Sequence, residues 1–273
     1  MKKINLILAS LTLFGLMTGC GGGNTSADAH GITMTLTPKG KVEISLSGSQ
    51  TATIDWGDGS PVETVTLGAT PWFEHQYAQK TEYTVQITGE NITEFWCPNL
   101  NVTNLNLNVP TLTKLLCSST NLTTLDLSKT PALISLECYN SLLKNINLSQ
   151  NSALEDLNCY GNQLTSLDVS KNPALTSLEC GDNQLTSLDV SKNSELRTLD
   201  CSVNQFSAEA LNTLFRTLCI NNNEDKTLYI GNNPGGGACD ENIAEERGWN
   251  VRMYMDGDPP SREDDEEEEP FYG

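Results

Sequence analysis

Histidine is nearly missing from this sequence: His30 and His75 are the only two among 273 residues. With so few imidazoles and no Cys-x-x-Cys pair, neither a His-based triad nor a zinc site can be assembled. Positive charge is scarce too, 16 Lys and Arg against 35 Asp and Glu, for a net charge of -19. That sign excludes nucleic acid as a partner, because a phosphate backbone needs the opposite one. Nine of the acids fall in 256–269 against Arg262 alone, with no apolar pattern before Phe271, so 256–273 reads as an acidic disordered tail. No nucleophile elbow, metal motif or mononucleotide loop appears. The run Pro234-Gly235-Gly236-Gly237 lacks the lysine and the preceding buried strand of a phosphate loop and reads as a turn. The expectation is a protein that is not an enzyme and carries no cofactor.

Long apolar runs are confined to the N-terminus. Lys2 and Lys3 precede an apolar stretch, 4–17, broken by Asn5, Ser10 and Thr12, and Met17-Thr18-Gly19-Cys20 follows. The run is too short and interrupted for a spanning helix and reads as an export signal. It resembles a bacterial lipoprotein signal. The resemblance implies removal of the signal, 1–20, with lipid attached at Cys20 and a membrane anchor through that lipid. Gly21, where an inner-membrane retention aspartate would stand, points to the outer membrane. The acids that follow the cysteine in many surface-exported lipoproteins are missing, which leaves surface exposure open. Residues 21–30 are small and polar, a flexible tether.

From 31 to 90 the period is two. Ile32, Met34 and Leu36, then Val42, Ile44 and Leu46, then Ala52, Ile54 and Trp56 alternate with polar residues, and Gly-Asp-Pro turns intervene. Short alternating strands of this kind predict a small β-sandwich. IDWGDGS (54–60), HQY (75–77) and TEYTVQITG (81–89) resemble PKD-type domains, which are usually spacers or interaction modules. Asp55 and Asp58 admit two readings: a weak Ca²⁺ site, or closure of the turn through their own backbone. His75 is expected to pack or hydrogen-bond inside.

Six cysteines at 97, 117, 138, 159, 180 and 201 mark a different regime, with one gap of 20 residues and four of 21. A fixed period in that range signals a solenoid. The unit, L-x-x-L-x-C-x-x-N-x-L-x-x-L-x-V-x-x-N, resembles the leucine-rich repeat, with bacterial internalin-like proteins the nearest group. It spans 91–206. In LTSLEC, Leu178 and Cys180 share the inward face, and LTSLDV repeats the rule with Leu188 and Val190, so two short parallel strands per turn are expected. Asn162, Asn183 and Asn204 form one recurring column, and Asn151, Asn172 and Asn193 another. Their expected role is bonding to neighbouring turns. Leu100, Thr120 and Ser141 interrupt the first column, so looser early turns are expected. The six cysteines read as buried small apolar residues, because equivalent side chains on parallel strands point the same way and suit a disulfide poorly. Cys219 and Cys239, outside the ladder, are the better disulfide candidates. Residues 207–255 form a mixed α/β cap, with a helix from Ala208 to Leu218 capped by Ser207. The fold class is thus mainly β: a small β-sandwich, a leucine-rich-repeat solenoid and a mixed α/β C-terminal cap.

With no chemistry in view, function is expected on the solvent-facing columns. One reads Trp96, Leu116, Glu137, Asn158, Glu179, Asp200, and its neighbour Pro98, Ser118, Tyr139, Tyr160, Gly181, Ser202. Large side chains standing in water are typical anchors for a partner. The other reading packs Trp96 on the sandwich and the tyrosines on each other. Trp96, Leu116, Glu137, Tyr139, Asn158, Tyr160, Glu179 and Asp200 are therefore the candidate partner-binding residues. The partner is a protein, from the host or the envelope, or else a glycan stacked on the same aromatics; a spacer that binds neither is the third reading.

Overall fold

The computed structural model describes residues 30–69, 71–220 and 226–253. Cys20, the signal, the tether up to residue 29 and the acidic tail lie outside them. The first strands are β1 (Gly31–Leu36), β2 (Lys41–Gly48), β3 (Thr51–Asp55), β4 (Glu63–Thr66), β5 (Trp72–Gln76) and β6 (Tyr83–Thr88). The alternating apolar residues of β1, β2, β3 and β6 are buried. Next come β7 (Ile92–Trp96) and β8 (Val102–Asn108), then one three-residue strand per turn: β9 (Lys114–Leu116), β10 (Ser135–Glu137), β11 (Asp156–Asn158), β12 (Ser177–Glu179) and β13 (Thr198–Asp200). Helix α1 (Ala208–Thr217), β14 (Lys226–Tyr229), the short α2 (Asn242–Glu245) and β15 (Trp249–Arg252) complete the chain. No helix among the described residues is long and apolar enough to cross a membrane.

Two sheets run through the molecule, in the orders β4-β3-β6-β1-β8 and β15-β14-β13-β12-β11-β10-β9-β7-β2-β5. Both cross the junction at 90/91. Strand β8 of the first repeat pairs antiparallel with β1, and β7 pairs antiparallel with β2 while running parallel to β9. The N-terminal strands therefore cap the solenoid by continuing its sheets, and one hydrophobic cluster extends from Ile32 to Trp249.

The WGDG and HQY pieces explain one another in space. Trp56 is fully buried, stacks on His75 at 5.0 Å and donates from Nε1 to Glu63 Oε1 at 2.7 Å. Tyr77 donates from its hydroxyl to the Trp56 carbonyl at 2.7 Å. Gly57 has φ +76, and a Cβ there would lie 2.3 Å from the Thr84 carbonyl oxygen. Asp55 Oδ1 accepts from Gly57 N at 2.9 Å, Asp58 Oδ1 from Ser60 N at 3.0 Å, and Asp58 Oδ2 meets His75 Nε2 at 2.8 Å. Hydrogen bonds from Ser60 and His75 hold the Asp58 carboxyl far below its ordinary value. Both carboxylates thus close their turns, and no group of three acids, histidines or cysteines suited to a metal occurs among the described residues.

In the solenoid each cysteine N–H donates to the next turn, Cys138 to Asn158 O at 2.9 Å and Cys159 to Glu179 O at 2.8 Å. The second strand expected on the LTSLDV side forms only in the first repeat, as β8, where β1 pairs with it; in the later turns it is not formed. There the backbone groups are satisfied within the turn: Asp168 Oδ1 accepts from Ser170 N at 2.9 Å, Asp189 Oδ1 from Ser191 N at 2.8 Å, and Asn172 N donates to Val169 O at 3.0 Å. An aspartate that captures the N–H two residues on competes with any sheet ladder.

The two asparagine columns differ in how fully they bond. Asn183 Nδ2 donates to Cys159, Cys180 and Gly181 carbonyls at 3.0, 3.2 and 3.0 Å, and its Oδ1 accepts from Leu164 N at 2.9 Å. Asn162 and Asn204 do the same one turn away. In the other column Asn172 Nδ2 donates to Leu148 and Asn151 carbonyls at 3.1 and 2.8 Å, while its buried Oδ1 has no partner, as at Asn151 and Asn193. The interrupted early turns are not open: Thr120 donates from Oγ1 to Cys117 O at 3.0 Å and pairs with Ser141 Oγ at 3.0 Å, both buried. At the far end Asn233 adds a rung, accepting from Phe206 N at 3.1 Å and donating to Cys201 O at 2.9 Å.

Cys219 and Cys239, the disulfide candidates, are separate thiols. Lys226 Nζ donates to Cys219 Sγ at 3.3 Å, and Cys239 Sγ donates to Gly236 O at 3.1 Å. Helix α1 starts where Ser207 Oγ accepts from Ala210 N at 3.2 Å and buries Leu211, Leu214 and Phe215.

The difference between the columns is measurable. Asn183→Ala strands the buried Leu164 N–H and withdraws a donor from three carbonyls. It is expected to cost roughly 2–4 kcal/mol in urea unfolding, at about 1–3 kcal/mol per buried group left unpaired. Asn172→Ala removes two donated bonds but also an unsatisfied oxygen, and is expected to cost about half as much. Equal costs, or the reverse order, would show that the amide oxygen does not hold the turns together.

Candidate binding face

The period places Leu115, Leu136, Leu157, Leu178 and Leu199 in the core, so the residue after each stands on the outer face of the sheet. Strand register then defines one row across all ten strands. Trp72 is opposite Ser45, Ser45 opposite Trp96, and Trp96 opposite Leu116. The row continues through Glu137, Asn158, Glu179 and Asp200 to Tyr229 and Arg252. The six expected members are therefore contiguous, and the row is longer at both ends than the repeats imply.

Trp72 and Tyr229 were not legible as members. Trp72 belongs to an antiparallel strand whose register no repeat dictates. Tyr229 did carry a signal, since TLYIGNN (227–233) repeats the spacing of TLDCSVN (198–204), with Ile230 in the cysteine place. Trp72 is 52% exposed and meets Trp96 edge-on at 6.1 Å. Trp96, Leu116, Glu137, Asn158, Glu179, Tyr139 and Tyr160 are half-buried rather than standing fully in water. Asn158 donates from Nδ2 to Glu179 Oε2, and its Oδ1 accepts from Tyr160 N at 3.1 Å. The Tyr160 ring leans over Gly181: a Cβ on that glycine would be 2.9 Å from the ring.

Asp200 departs most from expectation. It belongs to the outer row, yet it is only 2% exposed. Its Oδ1 accepts from Ser202 N at 2.8 Å and Ser202 Oγ at 2.6 Å, whereas Oδ2 has no hydrogen-bond partner among the described residues. Burial raises its pKa above the ordinary carboxylate value, with the Ser202 bonds opposing.

The cysteines take no part in the face. All six are fully buried, and burial alone pushes the Cys97 thiol up to about 12. A thiol held in its protonated form is neither nucleophile nor metal ligand. On the opposite side Asp126, Asp168 and Asp189 close turns, and hydrogen bonds from Ser128, Ser170 and Ser191 lower their pKa values. The clefts between those turns, about 310 and 430 Å³, are open and shallow.

A parallel strand and an inward cysteine in each turn, with a bonded asparagine from Asn162 onward, define a leucine-rich-repeat solenoid. No protein-family model matches the chain, and no curated protein does. Among solved structures it is similar to the functional domain of InlJ from Listeria monocytogenes, which includes a cysteine ladder. That match has 29% identity over 57% of this chain and 47% of the other, with a TM-score of 0.40. An internalin, InlF, of the same organism is similar at 18% identity over 54% and 42% of the two chains, TM-score 0.46. A leucine-rich-repeat protein of Leptospira interrogans is similar at 20% identity over 54% and 44%, TM-score 0.41. The chain spans less than half the length of these three.

Asp200 provides a pH test with a definite sign. A carboxyl whose folded pKa is raised contributes most stability below its unfolded pKa and loses it as pH rises through the folded value. Asp200→Asn is therefore expected to be more stable than the parent chain at neutral pH, where the parent's carboxylate is charged and buried. The gap should close as pH falls through the raised value toward the ordinary one. Denaturant midpoints across that range check it; a variant less stable at neutral pH would contradict the buried, uncompensated charge.

Proposed function

We propose that this chain is a lipid-anchored cell-envelope protein of the outer membrane, not an enzyme, whose repeat surface binds a protein partner. The observation that carries the reading is the single outer row from Trp72 to Arg252, with Tyr139 and Tyr160 alongside. It offers large aromatic side chains on a hydrogen-bonded sheet that loses little entropy when a partner docks. Lipidation at Cys20 would tether the sheet at the membrane through residues 21–30. A glycan is the second reading. It is favoured by Trp72, whose half-exposed ring beside Trp96 is a platform on which a sugar ring stacks.

Partners captured from envelope or host fractions test the face. Tyr139→Ala and Tyr160→Ala together are expected to weaken binding by 2 kcal/mol or more, roughly 30-fold, with an unchanged circular-dichroism spectrum. Unaltered affinity in the double variant would remove the site. Protease shaving of intact cells separates the two faces of the membrane: survival in intact cells with loss after lysis would eliminate a host-facing role.

A further inference from the structure

We propose that the C-terminal half of this face, from Glu137 to Asp200, is a cation-recognition site that takes Lys or Arg side chains from an extended segment of a protein partner. This rests on the reading of the face as a protein-binding surface and specifies what it binds.

Three features converge there. The first is composition: Glu137 and Glu179 stand in the outer row, Asp156 beside them at the start of β11, and Asp182 at the edge next to Tyr160. The second is the aromatic faces of Tyr139 and Tyr160 in the adjoining row. Carboxylates flanking tyrosine rings recognise ammonium and guanidinium groups through charge and ring quadrupole together.

The third feature is Asp200, and it stands apart from the others. Its Oδ2 is buried and unpartnered, and it lies 3.0 Å from the point where a side chain on Gly181 would begin. The Tyr160 ring lies 2.9 Å from the same point. Its chain neighbours Leu199 and Cys201 are buried on the inward face, and Oδ2 itself is closed to solvent, so a cation reaches it only from the outer face and only when the Tyr160 ring turns aside. A buried carboxylate oxygen with no partner is a standing cost that a bound cation removes. Any side chain at Gly181 would meet both the ring and the carboxylate, so glycine keeps the two together.

Spacing narrows the ligand. Glu137 and Glu179 are two strands apart, roughly 10 Å at about 4.8 Å per strand, and a segment in the polyproline II conformation, with three residues per turn and a rise of about 3.1 Å, returns a side chain to one face at nearly that interval. The segment that fits carries basic side chains three positions apart. Its apolar end would face Leu116 and Trp96.

The test is fluorescence anisotropy of the full chain with three labelled nonapeptides bearing Lys, Gln or Glu at every third position among apolar residues. The acidic tail is common to every variant, so differences between variants report the face. The parent chain is expected to bind the Lys peptide at least tenfold tighter than the Gln peptide. That preference should largely vanish in the Glu179→Gln/Asp200→Asn chain and in Tyr160→Ala, and persist in Asp168→Asn/Asp189→Asn on the other side. A Lys preference that survives Glu179→Gln/Asp200→Asn overturns the proposal, as does failure of all three peptides to bind. Equal binding of Lys and Gln peptides, lost in Tyr139→Ala/Tyr160→Ala, overturns the cation site and leaves the binding face standing.

Discussion

Most of the stack depends on one interaction, the buried asparagine amide that joins neighbouring turns from Asn162 to Asn233. A turn of about 21 residues cannot bury enough apolar surface alone to offset the entropy of ordering it, so turns are stable only when stacked. Stacking brings backbone groups into the core where the chain bends away from the strand, and those groups need partners. Asn183 supplies them in both directions, accepting from Leu164 N and donating to Cys159 O. The column also sets the period, since one amide reaches both turns only while their lengths stay equal. Where the chain departs from the period, as at the helical insertion between Asn204 and Asn233, it returns to the same rung geometry.

The cysteines follow from that constraint. Their N–H groups donate along the sheet one residue after the outer row, and their side chains fill the core beside the amides. The site needs a small apolar side chain with no strong hydrogen-bonding demand. The ends of the stack meet the same requirement differently. Strands β2 and β1 continue the two sheets on one side, whereas α1, β14 and β15 close the other.

The core register was legible because the repeat reports which side chains point inward, turn after turn. The two-strand turn was misread for a physical reason: LTSLDV has the alternation of a strand, but its aspartate binds the serine N–H two residues on. The early turns were expected to be loose because Thr120 and Ser141 replace asparagine; a hydroxyl pair bonds in its place. Trp72 joins the row through the antiparallel pairing of β5 with β2, which no period encodes. The candidate site was legible as positions but not as environments. Periodicity assigns Asp200 to the outer face, yet its burial depends on neighbours leaning across it, and side-chain direction is not periodic.

Within this one chain, uniformity and variation separate scaffold from surface. The inward leucines, cysteines and paired asparagines recur because every turn meets the same geometric demand. The outer row obeys no such demand and changes at each step, from Trp96 through Leu116, Glu137, Asn158 and Glu179 to Asp200. A purely structural row would have settled on small or uniformly polar residues, as the opposite side does with Asn106, Asp126, Asn147, Asp168 and Asp189. Asp200 goes further, because an unpaired oxygen in a buried carboxylate works against folding. A residue that costs stability on the least uniform row of the most regular part of the chain is best understood through what approaches from outside.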